Sequence, residues 1–310
     1  MKCPVCGANQ VVILGEISSY GGNACCCTIC DTIFPSVFPL PKEVENFYQG
    51  FQFNSSERAP FLYGLFLKFA VNARVKRIKK IVGKHTVSRE LLDFGGGCGT
   101  FTAAFSRCGY KADLYEIDEV AVKIAVNHKV HIAENNKKYG IVFSSHVIEH
   151  FIDLHLFFKQ VSERLESGGI LLLSCPNKNA NEPWRKKHLE SYFAVLKNGD
   201  KRYFRMYPWF CFDPPRHFYA ISKKTLQCLA TFHQYEVLEM FTEYANQGVF
   251  YFNNMYTLWG FGTLIKHPVS YLHRIYVNIM SLISRLRGKD EGDNLVAILK
   301  KKSDACASDG

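Results

Sequence analysis

The stretch that decides the fold is LLDFGGGCGTF, residues 91–101, in which four of the five positions 95–99 are glycine. A short apolar run that ends in Asp93 precedes the glycines, and TFTAAFSRCG, a segment of helical character, begins at Thr100. Glycine at such a place lets a ligand approach the backbone, and the first turn of a helix offers free N–H groups. The stretch therefore predicts a strand, a ligand-binding turn and a helix.

Two well-known phosphate-binding loops do not fit this turn. A phosphate loop requires G-x-x-x-x-G-K-[ST], and no lysine follows Gly99. A dinucleotide loop requires G-x-G-x-x-G, but Thr100 and Thr102 occupy the places of the third glycine. What remains is an acid followed by alternating glycines, D-x-G-x-G-x-G over residues 93–99.

Beyond the turn, short apolar strands alternate with amphipathic helices. Continuous apolar runs such as ILLLS, residues 170–174, indicate strands that are buried on both faces, as in a parallel sheet. The alternation predicts a doubly wound α/β sheet, which binds ligands beyond the carboxyl ends of its strands. The residues predicted at that edge are Gly95–Gly99, Glu116, Ser144–His150 and Cys175–Asn177.

Four stretches together resemble the class I S-adenosylmethionine-dependent methyltransferases. They are the glycine turn, GYKADLYEIDEVAVKIA (109–125), YGIVFSSHVIEHFID (139–153) and LESGGILLLSCPN (165–177). The resemblance covers about residues 88–240, with a last strand at 294–301. It implies a Rossmann-like fold with a mostly parallel seven-stranded sheet, and an enzyme that transfers the methyl group of S-adenosylmethionine.

The resemblance also implies which residues hold the cofactor. Glu116 would grip the two ribose hydroxyls, and a carboxylate about twenty residues after the loop suits a diol because it has two acceptor oxygens. Asp118 is the alternative, and Glu134 or Asn135 would hold the adenine amino group. The cofactor-binding residues predicted in this way are Asp93, Gly95, Gly97, Gly99, Glu116 and Ser145.

Two histidines are the predicted catalytic residues. Methyl transfer depends largely on positioning, and a base is needed only when the acceptor must lose a proton, as a hydroxyl must. His146 follows the fourth strand, and His217 follows Arg216 in an aromatic, proline-containing loop. Each histidine also has a purely structural interpretation. His146 could form only local hydrogen bonds, and the loop that carries His217 could be a rigid cover over the core. His146-x-x-Glu149-His150 also resembles the Glu-x-x-Glu-His metal site of ubiquinone-type O-methyltransferases.

The first forty residues predict a zinc ribbon. Two C-x-x-C pairs lie about 20 residues apart, and each pair turns two thiolates toward one metal ion. Cys25, Cys26 and Cys27 are consecutive, and only Cys27 has the required spacing to Cys30. The predicted ligands of a structural Zn²⁺ ion are Cys3, Cys6, Cys27 and Cys30.

Composition sets the broad class. The chain has 310 residues, of which 47% are hydrophobic and 21% charged, and its formal net charge is +10. Twelve cysteines and no visible signal peptide favour a cytoplasmic protein without a disulfide framework. We expect a ribbon over 1–40, a helical connector over 41–88, and a methyltransferase domain over 89–310 with insertions near 178–215 and 246–290.

The expected function is methylation of a small molecule, with a saccharide or other polar metabolite as acceptor. Within this family, the chain most resembles the methyltransferases that carry an N-terminal zinc ribbon. One alternative is a zinc-ribbon RNA base methyltransferase, which the basic charge would suit. Another is a non-catalytic interaction protein with a relic cofactor fold. The basic, apolar segment 246–288 predicts either contact with a membrane surface or packing against protein.

Overall fold

The computed structural model describes residues 1–17, 21–40, 42–44, 61–180, 211–212, 214–243, 286, 292 and 294–303, with the backbone alone for 61–67 and 70. The chain divides into two compact units. The first comprises Met1–Leu67, Pro176–Lys224 and Thr242–Leu295, and the second comprises Lys68–Cys175, Thr225–Phe241 and Val296–Gly310. Nearly all of segment 246–288, interpreted as a membrane-contacting or protein-packing region, and most of both predicted insertions lie outside the described residues.

A small antiparallel sheet opens the first unit. Strands β1 and β2 pair from Val11↔Cys27 to Glu16↔Asn23, and β2 also pairs with β3. Gly22 precedes β2 with φ +93°, a conformation that glycine adopts without steric cost. The strands are β1 Val11–Glu16, β2 Asn23–Cys27 and β3 Ile33–Pro35.

The second unit is built from strands and helices in alternation. The helix α1 precedes the first strand of the large sheet, and its last turn carries Lys79 and Lys80. The elements are α1 Phe61–Val82, β4 Glu90–Phe94, α2 Thr100–Arg107, β5 Lys111–Tyr115, α3 Glu119–Asn127, β6 His131–Ile132, β7 Tyr139–Ser145, α4 Leu154–Arg164, β8 Leu165–Pro176, α5 Lys223–Phe232, β9 Tyr235–Glu243 and β10 Asn294–Lys301.

These strands form one seven-stranded sheet in the order β6-β5-β4-β7-β8-β10-β9. The pairs β5–β6, β4–β5, β4–β7 and β7–β8 are parallel, so the carboxyl ends of five strands share one edge. The chain reverses its direction of growth between β4 and β7, which is the topological switch point where such sheets bind ligands. The predicted doubly wound, mostly parallel α/β fold is confirmed.

The hydrophobic core of the second unit lies on both faces of the central strands. Every residue of β7 from Tyr139 to Ser144 is buried, as the continuous apolar pattern predicts for a parallel strand. The helix α4 buries Leu154, Phe157, Phe158 and Val161, which recur at helical spacing on one face. Within the described residues, no helix is long and apolar enough to cross a membrane.

Candidate functional site

The glycine turn between β4 and α2 holds the backbone in conformations that other residues rarely adopt. Gly95, Gly97 and Gly99 have φ values of +73°, +56° and +73°. A Cβ atom on Gly95 would lie 2.6 Å from the side chain of Val147, whereas a Cβ on Gly97 would meet no atom within 4 Å. Gly95 therefore allows close packing within the protein, and Gly97 borders open space that a ligand can enter.

Asp93 lies beneath this turn. Its side chain is 1% exposed, and Oδ2 accepts a hydrogen bond from the Thr102 hydroxyl at 2.7 Å. A Cβ on Gly96 would come within 2.5 Å of the Asp93 carboxyl, so the turn sits directly on this acid. Burial raises the pKa of Asp93 to about 7. In this arrangement Asp93 joins the turn to the first residues of α2.

Glu116 follows β5 and faces the glycine turn. One carboxylate oxygen accepts the N–H of Gly97 at 2.8 Å, and the other accepts the N–H groups of Ile117 at 2.7 Å and Asp118 at 3.0 Å. A carboxylate has about four acceptor sites, of which these N–H groups occupy three, so Glu116 can also receive a ligand hydroxyl. The side chain of Asp118 instead accepts from the Val120 N–H and caps α3.

The segment predicted to hold the adenine amino group is exposed. Glu134 and Asn135 lie on the surface after β6, and the carbonyl oxygen of Glu134 accepts a hydrogen bond from Arg164 at 2.9 Å. Ile117 lies next to Glu116 in the chain and is 83% exposed. This exposed isoleucine provides an apolar surface beside Glu116 on which a flat ring could rest.

Arg74 is a functional candidate that sequence reasoning missed. It lies in α1, and its side chain is 8% exposed. Its guanidinium donates to the hydroxyls of Ser145 at 3.4 Å and Ser174 at 3.0 Å, and its Cζ lies 5.4 Å from the centre of the Phe101 ring. A buried positive charge therefore stands at the carboxyl ends of β7 and β8, next to the start of α2. The sequence RVKRIKK, residues 74–80, did not predict a buried arginine, because a run of basic residues near the end of a helix is usually exposed to solvent.

His146 directly follows Ser145 at the end of β7. Its φ is +59°, an uncommon conformation for a residue with a side chain, and its N–H donates to the Ser174 carbonyl at 2.8 Å. Its Nδ1 lies 3.3 Å from Oε1 of Glu149, whose side chain is 1% exposed. The structure thus fixes the backbone of His146 and places its imidazole beside a buried acid, an arrangement typical of positioned bases.

The other predicted catalytic residue, His217, lies in the first unit. Its side chain is 8% exposed, and it belongs to the described segment 214–222 between Pro214 and α5. Arg216 precedes it and is partly exposed.

The four predicted metal ligands come together in the same unit. The thiol sulfur atoms of Cys3, Cys6, Cys27 and Cys30 all lie within 4.8 Å of one another, and the Cys3–Cys30 and Cys6–Cys27 pairs are 3.5 Å apart. A hydrogen bond from Cys3 lowers the pKa of Cys30 to about 5. Tetrahedral zinc with Zn–S bonds of about 2.3 Å requires sulfur atoms about 3.8 Å apart, so the cluster fits this ion.

Cys25 and Cys26 stand outside this cluster. The Cys25 thiol lies near the Asn23 carbonyl and is buried, and Cys26 lies 3.8 Å from the ammonium nitrogen of Lys178. Successive residues of β2 point to opposite faces of the sheet, which separates Cys26 from Cys27. Cys25 shares a face with Cys27 but lies two residues farther along the strand from the turn that carries Cys30.

Comparison with known proteins places these features in a family. A model of the methyltransferase domain matches residues 66–240. A ubiquinone biosynthesis O-methyltransferase of Pelagibacter ubique (strain HTCC1062) is 28% identical in an alignment 156 residues long, which covers 44% of this chain and 60% of that protein. The chain therefore spans less than two thirds of this relative.

Solved structures were also found to be similar. A SAM dependent methyltransferase from Archaeoglobus fulgidus has a TM-score of 0.44 and 16% identity, covering 76% of this chain and 94% of that one. The glycopeptide N-methyltransferase MtfA complexed with S-adenosyl-L-methionine has a TM-score of 0.32 and 19% identity, covering 36% of this chain and 57% of that one. Because the methyltransferase-domain model matches more than half of the 310 residues, the chain belongs to the methyltransferase-domain family.

Proposed function

We propose that this methyltransferase transfers the methyl group of S-adenosylmethionine to a polar small molecule, with a saccharide hydroxyl as the favoured acceptor. The observation that carries the proposal is the glycine turn closed by Glu116, whose carboxylate lies 2.8 Å from the Gly97 N–H beside open space. The carboxylate of Glu116 suits the ribose hydroxyls of the cofactor. The glycine backbone leaves room for the cofactor's amino-acid chain. When bound, the cofactor would supply a methyl group on its sulfonium sulfur, and S-adenosylhomocysteine would leave as a neutral thioether.

Arg74 is the proposed partner of the cofactor's methionine carboxylate. Its guanidinium is held by Ser145 and Ser174 at the carboxyl ends of β7 and β8. A guanidinium can bind a carboxylate with two parallel hydrogen bonds, and the buried setting strengthens such a pair. Ser145, predicted as a cofactor-binding residue, would then act by orienting Arg74.

His146 is the proposed base of the transfer, and His217 is the second candidate. A hydroxyl acceptor must lose a proton as the bond to carbon forms, and His146 can take that proton while Glu149 orients its ring. The relative from Pelagibacter ubique is named an O-methyltransferase, which supports an oxygen acceptor. The residues themselves would bind, orient and accept a proton, and positioning would supply much of the rate enhancement.

The four-cysteine cluster is proposed to hold a structural Zn²⁺ ion. All four ligand places are cysteine, and such closed sites leave no position for a substrate. About forty residues bury too little apolar surface to fold alone, so the metal would supply much of the ribbon's stability.

The first test is calorimetric titration with S-adenosylhomocysteine, the expected product. Binding in the micromolar range would support the proposal, and the Arg74→Met variant should then bind at least ~10-fold more weakly, as loss of a charged hydrogen-bond partner predicts. No binding by the wild-type protein would contradict the proposal and favour the non-catalytic interpretation.

The acceptor class needs a second test. Methyl-labelled S-adenosylmethionine is incubated with the protein and either a sugar-nucleotide pool or bulk RNA. Label in the sugar pool supports the proposal. Label in RNA alone, with binding that weakens steeply as salt rises, would favour the RNA base methyltransferase that the net charge of +10 keeps as the second candidate.

A further inference from the structure

The ribbon and the segment that carries His217 share backbone hydrogen bonds. Ile33 of β3 and Ala220 form an antiparallel bridge within the first unit. The Ile33 N–H donates to the Ala220 carbonyl at 3.2 Å, and the Ala220 N–H donates to the Ile33 carbonyl at 3.0 Å. The edge of the small sheet therefore pairs with the chain three residues after His217.

Apolar side chains from both segments form one core. Phe38, which follows β3, lies with its ring centre 6.1 Å from that of Phe218 and 5.7 Å from that of Tyr219. The ribbon therefore shares part of its core with the later segment. The buried members of this shared cluster are Ile17, Ala24, Ile33, Cys211, Phe212 and Ala220.

An ion pair adds a third connection, and it reaches the metal-binding turn itself. Asp31 directly follows the ligand Cys30, has φ +58° and donates its N–H to the Cys27 carbonyl at 2.9 Å. The ammonium of Lys178 donates to the Asp31 carbonyl at 3.0 Å and pairs with its carboxylate. The backbone N–H of Lys178 also donates to the Ile221 carbonyl at 2.8 Å.

We propose that the metal centre holds the segment that carries the candidate base His217, residues 211–212 and 214–222, in place through the ribbon. The bridge, the shared core and the ion pair all begin on the ribbon, and the ribbon needs its metal to keep its structure. Metal loss would therefore release the segment that carries His217. The catalytic meaning of that release rests on the proposed function, whereas the structural coupling does not. A ribbon that served only to recruit a partner would have no need of these contacts.

The test is hydrogen exchange of the full-length wild-type protein, before and after zinc is removed by a chelator. The amides of Ala220 and Lys178 should exchange at least ~10-fold faster in the metal-free protein. The Ala220 N–H donates to Ile33 of the ribbon, and the Lys178 N–H donates to Ile221, the residue after Ala220. Affinity for S-adenosylhomocysteine, measured on the same samples, should change less than ~2-fold, since the glycine turn belongs to the other unit. Unchanged exchange at Ala220 while residues 1–40 lose protection would overturn the proposal.

Two further outcomes separate this proposal from neighbouring ones. Loss of protection in β4 and β7 together with loss of binding would show general unfolding and would also overturn it. If the untreated protein fails to bind S-adenosylhomocysteine, the proposed function fails, and the exchange data still decide the coupling.

Substitutions provide matched controls for the chelator. Cys30→Ser removes a ligand and should reproduce the metal-free exchange pattern, whereas Cys25→Ala removes a buried thiol of the same ribbon outside the ligand set and should leave zinc content and Ala220 protection unchanged. Lys178→Met should keep zinc and speed exchange at Lys178 alone by ~3-fold or more. Wild-type exchange rates at Ala220 in Cys30→Ser would contradict the proposal.

Discussion

At the scale of single residues, two acids near the glycine turn have different tasks. Glu116 is open to ligand and is held by three backbone N–H groups, whereas Asp93 is covered by the turn and bonded to Thr102. The sequence motif identified both as cofactor-binding residues, since spacing alone does not separate a residue above a turn from one below it. Burial makes the distinction.

The role proposed for Glu116 predicts a clear result. Glu116→Gln replaces one acceptor oxygen with an amide that presents hydrogens to the ribose and to the Gly97 N–H, and affinity for S-adenosylhomocysteine should fall ~10- to 100-fold. Asp118→Asn is the matched control, because it neutralises a neighbouring acid and still caps α3. Equal affinities of the two variants, by calorimetry, would contradict the assignment.

Asp93 predicts a pH dependence of stability. Its pKa is about 7 in the folded protein and 3.8 ordinarily, so the folded state binds more protons between these values. The contribution of protonated Asp93 is fully present below pH ~4 and is lost as pH rises through 7. Relative to Asp93→Asn, the wild type should lose up to about 1.4 kcal/mol of unfolding free energy per pH unit in this window. Urea melts at pH 5 and 8 measure this; a pH-independent difference would show that Asp93 stays ionised.

At the scale of elements, the glycine turn separates packing from binding. The sequence predicted its position between β4 and α2, since an apolar run, clustered glycines and helical spacing are local signals. It did not predict that Arg74 of α1 would reach Ser145 and Ser174 at the carboxyl ends of β7 and β8, because residues distant in sequence meet there through tertiary packing. The burial of Arg74 within a run of basic residues cannot be predicted from the local sequence pattern.

Alanine at Gly95 should therefore mainly lower stability, whereas alanine at Gly97 should mainly weaken donor binding. Gly95→Ala brings a methyl group against Val147 and should lower the unfolding free energy by about 1–3 kcal/mol, as overpacking does. Gly97→Ala meets open space, so the fold should tolerate it at the smaller cost of a positive φ, while donor binding is blocked. Thermal melts and titration with S-adenosylhomocysteine distinguish the two. A Gly97→Ala variant with wild-type affinity would place the donor elsewhere.

At the scale of the whole molecule, the chain consists of two compact units with separate means of stabilisation. The unit with the large sheet has an extensive apolar core, whereas residues 1–40 bring four thiols together and share a small buried cluster with a later segment. Local patterns predicted the sheet and the cysteine pairs. The association of the ribbon with residues 211–222 was not predicted, because neither the Ile33–Ala220 bridge nor the Lys178–Asp31 pair has a sequence signature.

This division predicts the metal content and the melting behaviour. The purified protein should carry about one zinc ion per chain, as a four-cysteine site requires, measured by atomic emission after dialysis. Chelation should add a separate transition at lower temperature, since two units of different stability do not unfold as one. A zinc-free preparation with an unchanged melting curve would contradict the assignment, and Cys25→Ala, which spares the ligands, is the control.

The three N–H groups that hold Glu116 have a consequence for the energetics of binding. A side chain whose rotation is already restricted in the empty protein gives up little conformational entropy when a ligand arrives. The same amides partly neutralise the carboxylate, so it can receive hydroxyl hydrogens without first exchanging a full hydration shell. In the proposed function, recognition of the cofactor's ribose would thus begin from an ordered state, and the free energy gained there would remain available to orient the reacting groups.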